Sequence, residues 1–68
     1  MEKYENFVGL GIDPTGAKQN AELKLDNWTT EQQDKSDKTI IELNRDYDTT
    51  RNSDIEWQCE INLKYKEQ

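Results

Sequence analysis

The sequence has no histidine, a single cysteine (Cys59), a single proline (Pro14) and three glycines. One cysteine cannot close an intramolecular disulfide. With no imidazole and one thiol, neither a zinc site nor a Cys–His nucleophile can be built. Long apolar runs are also missing, and none exceeds Ile40-Ile41 in length. A membrane-spanning helix needs about 20 consecutive apolar residues. No stretch has the layout of a signal peptide. Asn27-Trp28-Thr29 matches the glycosylation pattern but means little without one. A soluble, cytoplasmic protein is expected.

Apolar content is low overall. Leu, Ile, Val and Phe together number twelve in 68 residues, and mean hydropathy is −1.25. That is below the roughly 20% associated with disorder when net charge is high. A chain this short also buries only about 60% of the surface its unfolded form exposes. Small scaffolds make up such a deficit with disulfides, metals or association. The first two are closed here, so a partner surface is expected, either a second copy or another protein. Two Trp and three Tyr offset part of the deficit.

Positive charge is scarce. Nine Lys and Arg are scattered among fifteen Asp and Glu, for a net charge of −6. Direct nucleic-acid binding requires a clustered positive surface, and so does binding to an anionic membrane. Both are excluded as expectations, and a protein partner with a basic surface is favoured. The Asn-, Asp-, Lys- and Thr-rich composition has the general look of small phage or mobile-element proteins, with no motif behind it.

The chain has no repeat or linker and reads as one domain over residues 1–68, a run of strand candidates separated by turns. In Phe7-Val8-Gly9-Leu10-Gly11-Ile12, apolar residues alternate with glycines. Glycine inside a strand marks a bulge or the close approach of another backbone. Asp13-Pro14-Thr15-Gly16 has the residue order of a β-turn. From Ala17 to Trp28, Ala21, Leu23 and Leu25 alternate with Glu22, Lys24 and Asp26, which predicts a strand paired with the first. Thr29 to Lys38 has no apolar residue. Thr30 and Gln33 have capping-box spacing, so one helical turn fits inside an otherwise exposed connection.

Thr39 to Asp48 alternates again, and Thr49 to Ser53 is a polar turn. In the last segment Ile55, Trp57, Cys59, Ile61, Leu63 and Tyr65 alternate with polar residues. A helix would scatter these six around its circumference, so this strand is the surest element. A long terminal hairpin follows. The register with Tyr47 opposite Trp57 opposes fewer like charges than one with Tyr47 opposite Ile55. The expected architecture is mostly β: a small antiparallel four-stranded sheet or partly open barrel, a meander of two hairpins, with little or no helix.

The hairpin's outer face is the most distinctive surface. Glu42, Asp46, Asp48, Asp54, Glu56 and Glu60 crowd it, with Arg45 on the inward parity. Carboxylates two residues apart on a strand lie about 7 Å apart, close to the spacing of phosphates along a nucleic-acid strand. Such a face suits a basic groove built for DNA or RNA. The same charges also keep a marginal sheet protein soluble and blunt its edges. The face grades from Glu56 and Glu60 to Lys64 and Lys66, which puts an acidic site toward the Asp48–Asp54 end. Trp28, out of phase with its neighbours, is either an exposed contact or a core residue reached through a bulge. Ile40, on the otherwise polar face, is a second contact candidate.

Other chemistry is weakly represented. Asp46-x-Asp48 starts like a calcium loop but has Arg51 where glycine is needed and Trp57 where glutamate is needed. Glu56 and Glu60 as a hydrolytic pair would need a concave pocket, which 68 residues with this little core can hardly form. Gly9-Leu10-Gly11 is half of a phosphate loop. Cys59 lies between apolar neighbours, as packing thiols do. No catalytic residue, metal or cofactor is expected. The leading expectation is a non-enzymatic protein-binding module, an inhibitor presenting the acidic hairpin to a basic groove. The alternative is a structural subunit of a homo-oligomer or a larger assembly.

Overall fold

The computed structural model describes the whole chain, Met1–Gln68. The elements are β1 (Glu2–Gly11), α1 (Pro14–Ser36), β2 (Ile40–Ser53) and β3 (Glu56–Glu67). The three strands form one antiparallel sheet in the order β1-β3-β2. β1 and β2 therefore run parallel on either side of β3, and α1 is the crossover between them. The helix covers one face of the sheet, and the Cα atoms span 42 × 20 × 12 Å.

The fold is mostly β, as the alternation indicated, but there are three strands, and a helix of 23 residues replaces the second. Its start is written in the chain. Asp13 is the N-cap, its Oδ1 accepting the Gly16 amide at 2.6 Å, and Pro14 occupies the first turn, where its missing N–H costs nothing. The residues that suggested a β-turn are thus a helix cap. At the other end Asp37 takes the left-handed conformation (φ 51°), and the Lys38 amide donates to the Gln32 carbonyl.

The helix buries a narrow stripe of Ala17, Ala21 and Leu25, continued by half-buried Trp28. That spacing of four, four and three is helical. Leu23, which made the segment look alternating, is 58% exposed. Small side chains carry the contact because the floor beneath them is glycine. A Cβ on Gly9 would collide with the Ala21 backbone and lie 2.5 Å from Ala17 O; one on Gly11 would lie 2.5 Å from Ala17 N. The close approach expected of these glycines is real, and the backbone that approaches is the helix.

β3 is the central strand and supplies half of the eight-residue core: Cys59, Ile61, Leu63 and Tyr65, joined by Phe7, Ala17, Ala21 and Leu25. Full burial of a side chain such as Ile61 or Leu63 is worth about 1.5–3 kcal/mol. Trp28 closes one end of the core, edge-on to Phe7 (5.5 Å between centroids) and Tyr65 (5.0 Å). Ile55 is not part of this face. It lies in the turn, 78% exposed.

The hairpin register also differs from expectation. β2 continues through Thr49–Ser53, and the reversal occurs at Asp54-Ile55. Moving the turn toward the C-terminus slides the register, so Tyr47 pairs with Ile61 where Trp57 was expected. The turn is held by Arg51, whose Nε donates to Ser53 O and whose Nη2 meets Asp54 Oδ1 at 3.2 Å.

Candidate protein-binding face

The sheet face opposite α1 is covered by nothing in the chain. Even-numbered residues of β1 and β3 point to it, since Phe7, Ile61 and the other core residues take the odd positions. Successive rows across β1, β3 and β2 read Tyr4–Lys64–Asn44, Asn6–Asn62–Asp46, Val8–Glu60–Asp48 and Leu10–Gln58–Thr50. The face runs from basic at Lys64 and Lys66, through an Asn6–Asn62 side-chain hydrogen bond (2.8 Å), to acidic at Asp46, Asp48 and Glu60. Lys64 is paired with Glu2 at 3.4 Å.

Asp48 and Glu60 are direct cross-strand partners, and Asp46 is one pair further along the same face. None of the three takes part in an ion pair within 4 Å: every Lys or Arg engaged in a salt bridge is bound to Glu2, Glu22, Glu42, Asp54 or Glu67. Like charges directly opposite one another destabilise a sheet. Their contacts are to neutral amides, Asn44 Nδ2 donating to Asp46 (3.1 Å) and Asn62 Nδ2 to Glu60 (3.4 Å). Glu56 lies on the same face near the turn and accepts from Asn52 at 3.2 Å.

The other expected site residues lie elsewhere. A bulge between Glu42 and Asn44 moves Glu42 to the helix side, opposite Tyr65. There it holds Arg45, which donates to Glu42 Oε1 through Nη2 (2.5 Å) and Nε (3.1 Å). Arg45 also reaches Tyr47 Oη (3.1 Å) and Glu22 (3.7 Å), and the Tyr47 hydroxyl donates to Glu22 (3.1 Å). These hydrogen bonds hold the guanidinium charged well beyond its ordinary range. Asp54 is at the tip, paired with Arg51. The same bulge carries Ile40 to the inner face, where it and Trp28 pack against the core. Neither is a contact on the acidic face. Asp46, Asp48 and Asp54 do not gather into a cation site.

Sequence patterning missed the β1 half of this face. The alternation at Phe7–Ile12 predicts a shorter strand paired with its successor, whereas β1 begins at Glu2 and brings Tyr4, Val8 and Leu10 to this face. Their place beside β3 depends on a pairing across most of the chain. The parity that puts them outward was available from Phe7, Gly9 and Gly11 on the opposite side.

No protein-family model, curated protein or solved structure matches this chain. No helix is long and apolar enough to cross a membrane.

Proposed function

We propose that the protein is a small non-enzymatic binding module, acting inside the cell, whose uncovered sheet face presents Asp46, Asp48 and Glu60 to a basic surface of a partner protein. The observation that carries this is the Asp48–Glu60 pair. Two carboxylates face each other across adjacent strands, with a third alongside, and none of the three is ion-paired. A solubilising role needs charge but not this arrangement, which costs stability. A cationic partner surface removes that cost on binding. An inhibitor occupying a nucleic-acid groove is the sharpest form of this function, because the acids are spaced along the strands at about 7 Å.

The test is capture of partners from native lysate by the wild-type protein and by an Asp46→Lys, Asp48→Lys, Glu60→Lys variant, at low and high salt. Glu31→Lys on the exposed side of α1 is the control. A partner retained at low salt, released by salt and by competing DNA or RNA, and lost with the triple variant alone is expected. Capture that survives the charge reversal overturns the assignment.

Ile12 (82% exposed), Ile55 and half-exposed Leu10 favour a second reading. Gly11 pairs with Trp57, so all three lie at the same end of the sheet. They suit a structural subunit joined to copies or neighbours through apolar contacts. It predicts a defined oligomer insensitive to salt, and a monodisperse monomer by light scattering rules out the self-association form.

A further inference from the structure

The two edges of the sheet are finished differently. Thr39 and Gln68 exchange both backbone hydrogen bonds (3.4 and 3.0 Å), which sets the phase of the ladder. Even-numbered residues of β3 therefore bond to β2 and odd-numbered ones to β1. The outward N–H and C=O groups on β1 belong to Tyr4, Asn6, Val8 and Leu10. Those on β2 belong to Arg45, Tyr47, Thr49 and Arg51.

On β1 three of these groups are occupied. Lys24 of α1 donates to Val8 O at 2.6 Å, Asn20 donates to Leu10 O at 2.5 Å, and the Asn6 amide donates to Glu5 Oε1 at 3.3 Å. On β2 no side chain bonds to the backbone anywhere from Ile40 to Arg51. The bulges at Leu43 and Asn52 bound a regular stretch, Asn44–Arg51, whose outer hydrogen-bonding groups are free.

A groove of about 390 Å³ lies between α1 and the start of this strand. Three of its eight lining residues are apolar, Leu25, Ile40 and Leu63, and Asp26, Glu42 and Arg45 bring charge to its walls. A strand added to β2 would send alternate side chains toward this groove and the others out beside Asp46 and Asp48. Main-chain bonds at an edge with pockets for alternate side chains is a recurring mode of peptide recognition.

We propose that β2 is a docking edge for an extended segment of a partner protein, one that alternates Lys or Arg with apolar residues. It rests on the protein-binding function above and names the form of the partner. Charge complementarity selects this occupant. On the outer face Asp46 and Asp48 lack cations, whereas on the inner face Arg45 is already matched by Glu22 and Glu42. A second copy is the poorer fit. Antiparallel self-pairing centred on Asp46, Tyr47 or Asp48 sets Asp46 or Asp48 against an acid of the other copy.

The probe is a capped seven-residue Val/Lys alternating peptide, with a block-ordered peptide of the same composition as control, followed by amide exchange in the protein. Protection of the Arg45, Tyr47, Thr49 and Arg51 amides, with those of β1 unchanged, is expected. Thr49→Pro removes one outward N–H without touching the ladder to β3. It should weaken binding about tenfold, the value of a single net hydrogen bond. N-methylation of alternate peptide amides, which leaves the protein untouched, should abolish binding and covers the case in which the proline variant fails to fold. Binding that shifts Asp46, Asp48 and Glu60 without protecting the β2 amides overturns the edge and leaves the acidic face standing. Binding of neither peptide at millimolar concentration overturns it too, with the acidic face then decided by the lysate capture. Protection of the same amides in the peptide-free protein, with dimer in the ultracentrifuge, replaces the partner segment with a second copy.

Discussion

β1 and β2 flank the same central strand, yet the residues they set beside it differ in kind. On the helix side Phe7, Gly9 and Gly11 are matched across Ile61, Cys59 and Trp57 by Tyr47, Thr49 and Arg51. The first set is apolar or has no side chain, and the helix rests on it. The second set is polar, and toward the start of the same strand, at Ile40, Glu42 and Arg45, a groove opens beside the helix. The β1 half packs backbone to backbone, and Lys24 and Asn20 bond two of its edge carbonyls. The β2 half is held by its ladder and by the Arg45 network, and its edge is free. Stability is concentrated on one side of β3, and the surfaces available to a partner on the other.

The sharpest way to break this contrast is to place the same methyl group on both sides of Cys59. Gly9→Ala drives a Cβ into the helix backbone. Overpacking costs typically about 1–3 kcal/mol and more where the backbone must move, against about 5 kcal/mol for a domain at the low end of marginal stability. The variant should lose its cooperative thermal transition or melt at least about 15 °C lower. Thr49→Ala, the same row on β2, should stay within about 0.5 kcal/mol of wild type. Comparable losses from the two would refute the division.

Arg45→Ala tests what holds the β2 half. It removes hydrogen bonds to Glu42 and Tyr47 and the ion pair to Glu22, in a side chain only one-quarter exposed. A loss of about 1 kcal/mol by chemical denaturation is expected after allowance for solvent screening. A loss as large as that of Gly9→Ala would put the main support of the fold on the β2 side.

Asp48→Thr sharpens the comparison from the other direction. It removes the like-charge opposition to Glu60 and places a strand-favouring residue there, which should raise stability by about 0.2–1 kcal/mol while weakening partner capture. A variant that is both stabilised and fully active would make the acidic pair dispensable.

The smallest effect concerns pH. Lys3 and Lys38 both hold Glu67, at 3.2 Å each, and lower its carboxyl from the ordinary value of 4.5. A depressed carboxylate contributes stability above its unfolded pKa and loses it as pH falls through the folded one. The acid limb of the stability curve should therefore flatten slightly in Glu67→Gln. Burial raises the Tyr65 hydroxyl from 10.0, with Glu5 and Glu67 adding to the shift. Its contribution is intact below that pH and is lost as pH rises further, so Tyr65→Phe should flatten the alkaline limb. If neither variant moves its limb, these side chains are not coupled to folding.

The parts of the fold that could be read from the chain are those written at short range. Trp57 to Tyr65 alternates so cleanly that both faces of β3 follow from it, as does the gradient from Glu60 to Lys66. Gly9 and Gly11 announced a close approach without saying of what. The helix was missed although its signals were present: Asp13-Pro14 as cap and first turn, then Ala17, Ala21, Leu25 and Trp28 at helical spacing. Alanine registers weakly as apolar, and Leu23 supplied a false alternation. Of the acidic set, Asp46, Asp48, Glu56 and Glu60 share the outer face. Glu42 and Ile40 were displaced by one inserted residue at Leu43, and a bulge leaves no mark in an alternating pattern.

The sequence by itself determined the central strand, its inward and outward sides, and the excess of acid near the hairpin, because side-chain alternation is a local property of an extended chain. Only the tertiary structure decided that β1 leaves its sequence neighbour to pair with β3, that Pro14–Ser36 follows its helical spacing over its false alternation, and which carboxylates meet. Those outcomes depend on contacts between residues far apart in the chain. Alanines can form a helix interface here only because the glycines of β1, on another element, let the backbones touch.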